Sequence, residues 1–405
     1  MPAIDKLPQE LVDLVVDNLE DDLPAIEACS FLNRSFMLST RPHIFRRISI
    51  RPADTTCRAL TKMLKRDPGI AELVQELSIV LVGDETSFEL DDDGNYAQAR
   101  AVPWLASDST AKHSGRDLAR ILAQLSLKRI SLIEESPPDW NNLGEFCVEW
   151  DALEEALRVA LLAQFASSTM ERVHLRGIVM QSPNQLFELF RNSVALKHLA
   201  ISRVYFTVSR RWWVPTEVWA PKLRSLLVSD LYSNAFVDRF TDGTVDLRQL
   251  TSLTLATDAR RSRRAFIQEK ILERENALES VRLWCWMAPD PATPLIILGE
   301  HLKHVHLFTN ASLDWLSDVF RRRPRDSPLN TLTIEGPIRV DWLRTRRFPS
   351  NPTIDEVVRT NLDLVPLLSR VEILGYDDGG ATPQWRPRAV PRREHAGGRR
   401  LAGRV

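Results

Sequence analysis

The sequence predicts an α/β protein: a short helical module, then a strand-and-helix repeat domain with a parallel sheet. Three observations predict it. A six-residue pattern, apolar-x-x-apolar-x-apolar, recurs at near-constant spacing. Helix-like stretches lie between successive copies. Ahead of them, residues 7–50 hold two apolar stripes of helical period and then an alternating run.

The repeat pattern begins at Val74, Leu127, Met170, Leu196, Leu223, Leu250, Leu278, Leu302, Leu329 and Leu368. Aliphatic residues are common enough that the number of copies decides nothing; their spacing does. From Met170 to Leu329 the intervals are 26, 27, 27, 28, 24 and 27 residues, whereas the outer intervals of 53, 43 and 39 imply insertions. Helix-like stretches at 184–192, 233–240, 264–275, 312–322 and 354–368 fill the gaps. A unit of this size cannot bury its own apolar side, but stacked units share a continuous core. Positions one, four and six are expected to point inward, and three, five and seven to line a concave face. The ordinary alternative is an α/β domain without repeats.

In the N-terminal segment Pro8 suits the first turn of a helix, with Asp5 as a cap before it. Leu7, Leu11, Leu14, Val15 and Leu19 then make one apolar stripe, and Glu10, Asp13, Asp17 and Asn18 take the other side. Asp21 and Asp22 close this helix and offer a cap to the next, which has Pro24 in its first turn. Ile26, Cys29, Leu32 and Phe36 form its stripe. A short third element at 42–45 leads into the strand-like run 46–50. Helices this short need a partner for their apolar stripes, either the following domain or another chain.

The run Leu7-Pro8-Gln9-Glu10-Leu11, then Leu14, Val15, Leu19, Cys29, Leu32, Arg34, Phe36 and Phe45, resembles the F-box family, with Phe36 and Phe45 standing where many members have Trp. The string Arg41-Pro42-His43-Ile44-Phe45-Arg46 looks like fungal members. The resemblance covers about 45 residues. It implies a module at 1–50 that docks on the adaptor subunit of a Skp–cullin–F-box ubiquitin ligase through Leu7, Pro8, Leu11, Leu14, Val15 and Leu19. Ile26, Cys29 and Leu32 would lie partly in the module's own core. The domain at 70–375 resembles an irregular leucine-rich-repeat solenoid. That pattern has Asn or Cys three residues after the sixth position, and only the copy at Leu302 supplies it, with Asn310.

Two insertions interrupt the predicted repeats, at 83–117 and 134–150. Asp91-Asp92-Asp93-Gly94 in the first lacks the glycine at the sixth place of an EF-hand loop, where Tyr96 stands, and reads as a solvated turn. The segment 379–405 is Gly, Pro and Arg with almost no apolar residues and reads as a disordered basic tail. The net charge of −1 argues against nucleic acid as a partner, and no apolar stretch reaches membrane-span length. Four scattered cysteines make neither a metal site nor a disulfide framework. With no signal peptide visible, a cytoplasmic or nuclear location is expected.

No phosphate-cradling glycine loop, nucleophile turn or zinc motif appears, so the chain is not expected to be an enzyme or to use a cofactor. The substrate-binding candidates are concave positions: Arg172, His174, Arg176, Arg282, Trp284, His304 and His306, with Phe308 and Trp286 nearby. His304 and His306 share one side of a strand without a third ligand in sequence, which favours a polar surface over a metal site. Trp212, Trp213 and Trp219 are either core or partner contact. The expected function is substrate recognition for the ligase. The adaptor would bind through the N-terminal helices, and a protein substrate of acidic or phosphorylated character through the repeats. The alternative is a repeat scaffold with no ligase role.

Overall fold

The structure is a computed structural model. It describes residues 7–51, 56–81, 84–86, 88–90, 96–99, 114–134, 145–206, 222–229, 247–257, 277–285, 301–309, 328–337, 370–376 and 388–390. The protein is α/β, with helices and eleven parallel strands among these residues. The chain divides into two compact units: residues 1–196 with 204–210, and residues 197–203 with 211–405. The division therefore falls inside the region the sequence marks as one repeat domain, and the N-terminal helices share a unit with the first copies of the pattern.

The first unit opens with three helices, α1 (Gln9–Asp17), α2 (Leu23–Ser30) and α3 (Arg34–Arg46). Pro8 stands one residue outside α1, where its carbonyl accepts from the N–H groups of Leu11 and Val12. The Asp22 carboxylate caps α2 by accepting from the Ala25 N–H at 3.0 Å, and Pro24 sits in the first turn as expected. Two expectations fail at the next step. Phe36 does not continue the α2 stripe, because Asn33 is extended and its side chain accepts from the Phe36 N–H, starting a new helix. The short element expected at 42–45 is instead the last turn of α3, which runs through the exposed Pro42. A single missing N–H on the solvent side leaves the rest of the helix its bonds.

Strand β1 (Arg47–Ile50) follows directly, then α4 (Thr56–Arg66), α5 (Ile70–Leu73) and β2 (Glu76–Leu81). Backbone segments β3 (Asp84–Thr86), β4 (Phe88–Leu90) and β5 (Tyr96–Ala99) come next, with β4 and β5 paired antiparallel. After α6 (Ser114–Leu122), β6 (Arg129–Glu134), β7 (Glu145–Glu149), α7 (Glu155–Phe165), β8 (Arg172–Met180) and α8 (Pro183–Phe190) complete the unit. The parallel order is β1-β2-β6-β8. The two insertions read as loops are not wholly irregular, because β3 of the first pairs antiparallel with β7 of the second. The alternation Phe146-x-Val148-x-Trp150 is the strand signal there, and Val148 and Trp150 are buried. At Gly177 β8 changes partner: it pairs with β6 as far as Arg176, then with β7 from Ile178.

The second unit is built on β9 (His198–Phe206, of which residues 204–206 count with the first unit), β10 (Ser225–Ser229), β11 (Ser252–Thr257), β12 (Ser280–Cys285), β13 (His304–Thr309), β14 (Thr331–Pro337) and β15 (Arg370–Tyr376), each parallel to the next. A short β16 (Arg388–Val390) pairs antiparallel with β15. It lies in the tail for which the sequence predicts no element; backbone pairing at a sheet edge does not require the apolar side chains that the tail lacks. The rest of that tail, the helix-like stretches from 233 onward and Trp212, Trp213 and Trp219 lie outside the described residues.

The six-residue pattern falls on these strands in constant register. Leu199, Leu226, Leu253, Val281, Val305 and Leu332 are successive partners, and all are buried. A second feature recurs at seven of the steps between strands. The carbonyl of the second pattern position accepts from two successive N–H groups of the following strand: Gln75 from Lys128 and Arg129, Lys128 from Glu171 and Arg172, Lys197 from Arg224 and Ser225. The same step continues at Arg224, Thr251, Glu279 and Lys303. That residue must face away from the core to make this turn, so it is polar in every copy.

Candidate functional site

Three sectors divide the surface of α1. Val12 and Val16 form a small core with Phe36, against which Cys29 is partly buried. Next to them runs a polar seam. The Ser39 hydroxyl donates to Asp13 at 2.5 Å and the Gln9 amide donates to Ser39 at 2.6 Å, while His43 Nε2 meets the Asp17 carboxylate at 3.1 Å. Gln9, Asp13 and Asp17 recur every four residues, so they stand on one side of the helix facing Ser39 and His43 of α3. The Gln9 amide also donates to Asp13 at 2.9 Å, and the hydrogen bonds from Ser39 and Gln9 together hold the Asp13 carboxyl below its ordinary range, the larger effect coming from Ser39.

The third sector is apolar and faces water. Leu7, Leu11, Leu14 and Val15 are exposed, Leu14 at 57%. Leu19 is half-buried and Pro8 exposed. Helical spacing places Leu11, Leu14 and Val15 on one side, opposite the polar seam. Exposed apolar residues continue through the module at Leu23, Phe31, Leu32, Met37 and Leu38. Of the twelve large hydrophobics exposed among the described residues, nine lie within 7–38, so the exposure is concentrated there. Phe31, at 87%, is the most open of them. Of the residues expected partly in the module's core, Ile26 is buried and Cys29 half-buried, but Leu32 is exposed at the end of α2.

Sequence reasoning found the exposed sector and missed both Val12 with Val16 and the exposed Leu23, Phe31, Met37 and Leu38. The Val12/Val16 pair carries the usual four-residue signal. It was hidden because α1 is apolar over two adjacent arcs, and only one of them is covered by the module itself.

The concave candidates fall in both units. In the first, Arg172, His174 and Arg176 alternate with buried Val173 and Leu175 along β8. Arg129 and Ser131 of β6 are the register partners of Arg172 and His174. Glu76 pairs with two flanking guanidiniums, Arg47 at 3.4 Å and Arg129 at 3.5 Å. Burial lowers the His174 pKa from its ordinary value, and the charges of Arg176 and Arg129 add to the effect.

In the second unit Arg282 is the register partner of His306 and Ser280 that of His304. His304 is exposed and His306 half-buried. The backbone of Trp284 pairs with Phe308, while the side chains of both lie outside the described residues. Beside this row, on the second pattern position, the Lys303 ammonium donates to Glu279 at 2.8 Å, which lowers the Glu279 pKa. Among the described residues no cluster of His, Cys, Asp and Glu could hold a metal ion, and no helix is long and apolar enough to cross a membrane.

No protein-family model matches the chain, and no curated protein matches it in sequence.

Proposed function

We propose that this chain is a substrate-recognition subunit of a Skp–cullin–F-box ubiquitin ligase, with the N-terminal helices docking on the adaptor. One observation carries the reading. α1 keeps separate sectors for its own core and for its polar seam with α3, and leaves Leu11, Leu14 and Val15 in water. An apolar face of this kind beside a completed small core is suited to a partner, and in a helix-in-groove contact the residues at i, i+3 and i+4 are the anchors. The resemblance of residues 7–45 to the F-box family names that partner as the ligase adaptor.

In the same reading the strand array is an irregular leucine-rich-repeat solenoid that holds a protein substrate. The recurrence of one backbone step between strands, with constant register, supports it. The chain itself performs no bond chemistry. It acts by positioning, holding a target lysine near an activated thioester supplied by the other ligase subunits.

The test is capture of purified adaptor by the full chain. The double substitution Leu11→Asp with Leu14→Asp should abolish capture and leave the thermal midpoint unchanged, because both side chains are already solvated. Undiminished capture by that variant would reject this docking face. No capture by the wild-type chain would favour the repeat scaffold without a ligase role.

A further inference from the structure

We propose that the Arg172–His174–Arg176 row of side chains on β8 receives an extended peptide segment carrying two anionic groups four residues apart. The inference deepens the substrate half of the reading above and does not depend on adaptor docking.

The case begins with unequal charge across the first unit. Along one register row stand Arg47, Glu76, Arg129 and Arg172. One carboxylate, Glu76, serves the two guanidiniums beside it. Arg172 comes next to Arg129, a like charge directly opposite in a strand pair, an arrangement that is unfavourable without an anion. Among the described residues neither Arg172 nor Arg176 has an ion pair or a side-chain hydrogen bond. This separates them from Arg282 and His306 of the second unit, which already have partners.

The spacing then selects the ligand. Arg172, His174 and Arg176 point to one side of β8, since Val173 and Leu175 between them are buried. Two guanidiniums four strand residues apart are separated by about 13 Å at the base. An extended peptide repeats its own side chains at the same distance on one face, so anions at its positions i and i+4 meet both. Each guanidinium can then bind a carboxylate or a phosphate in two-pronged fashion. Beside them on β6, the register partner of His174 is Ser131, a small residue with no charge to compete for the ligand. Burial and the neighbouring guanidiniums lower the His174 pKa, so the two arginines are the principal cations of the row.

The experiment is fluorescence anisotropy on the full chain with labelled nine-residue peptides. One carries Asp at its third and seventh positions, a second Asn at both, a third Asp at the third and sixth, and a fourth phosphoserine at the third and seventh. The first should bind saturably, and the second and third at least tenfold more weakly. Arg172→Gln or Arg176→Gln should each weaken the first at least tenfold, with thermal midpoints unchanged. Arg58→Gln, exposed on α4, should not alter binding.

A tenfold preference for phosphoserine would identify phosphate as the recognised group, and parity would identify carboxylate; either upholds the site. No saturable binding of the first or fourth peptide overturns it, as does indifference to both arginine changes or to the third-and-sixth spacing. Adaptor capture measured on the same two variants should stay at the wild-type level, so failure here and failure of the N-terminal reading are separately visible.

Discussion

Gly177 and Arg203 hold the same place, the eighth, in consecutive copies of the strand pattern, and both have a left-handed backbone, with φ of 70° and 52°. After each, alternation stops and three residues in a row are buried: Ile178, Val179 and Met180 in β8, and Val204, Tyr205 and Phe206 in β9. The turn at this place rotates the end of the strand so that both of its faces enter the core. Arg203 demonstrates that the backbone alone tolerates a side chain. Gly177 does not have that freedom, because a Cβ there would overlap the Cβ of the buried Glu134 at the end of β6.

Gly177→Ala should therefore cost more than the left-handed backbone alone. That backbone costs about 1–2 kcal/mol, and forcing apart two packed strands adds about 1–3 kcal/mol. A Cβ anchored to the β6 backbone cannot swing away as the end of a flexible side chain would. Equilibrium urea denaturation should show a loss of about 3 kcal/mol. A loss under about 1 kcal/mol would mean that β6 and β8 are not held this closely.

The sectors of α1 predict opposite outcomes for two residues only two positions apart, on different sides of the helix. Val16 is fully buried against Val12 and Phe36, so Val16→Ala removes two methyl groups from a small core, a loss of about 1–2 kcal/mol. Leu14 is exposed, and Leu14→Ala should change stability by less than about 0.5 kcal/mol. Hydrogen exchange of the α1 and α3 amides reads this locally. Exchange should speed up about tenfold in Val16→Ala and stay within about twofold in Leu14→Ala. The reverse order would mean that α1 presents its other apolar arc to the module.

The strands were legible because each copy of the pattern carries its own instruction. Leu226, Leu253 and Val281 sit at the fourth position of their copies, and burial at that position is what a half-buried strand needs. Local chemistry also fixed the start of α2 at Asp22 and the strand after Arg46. What was not legible depends on distance or competition. The pairing of β3 with β7 joins segments some sixty residues apart through backbone bonds, which leave no periodic signature. The break between α2 and α3 turns on whether Asn33 spends its side chain on a cap or lets the Ile26 stripe run on, and the apolar period alone cannot decide that. The candidate docking residues were found because Leu11, Leu14 and Val15 share a helix face. Phe31 and Met37 were missed because their exposure follows from where α2 ends and how α3 is turned.

Cys57 supplies the last prediction. It lies with Leu60 and Leu64 on the buried side of α4, whose partner is α6. Burial pushes its thiol up to about 11 from the ordinary 9.0, and the charge of Asp117 on α6 adds to the effect. The folded thiol is therefore protonated near neutral pH and has almost no nucleophilic thiolate. Iodoacetamide at pH 8 should leave Cys57 unmodified in the native chain and alkylate it after unfolding. The same shift links stability to pH. Below about pH 9 the thiol is neutral in both states and nothing changes. From there to about pH 11 the unfolded chain releases the proton while the folded chain retains it, so stability falls as pH rises. Urea midpoints from pH 8 to pH 11 should drop more steeply for the wild type than for Cys57→Ala, in which the remaining slope belongs to other groups. Equal slopes, or alkylation of the native chain at pH 8 at the rate of a free thiol, would place Cys57 at the surface and dissolve the packing of α4 on α6.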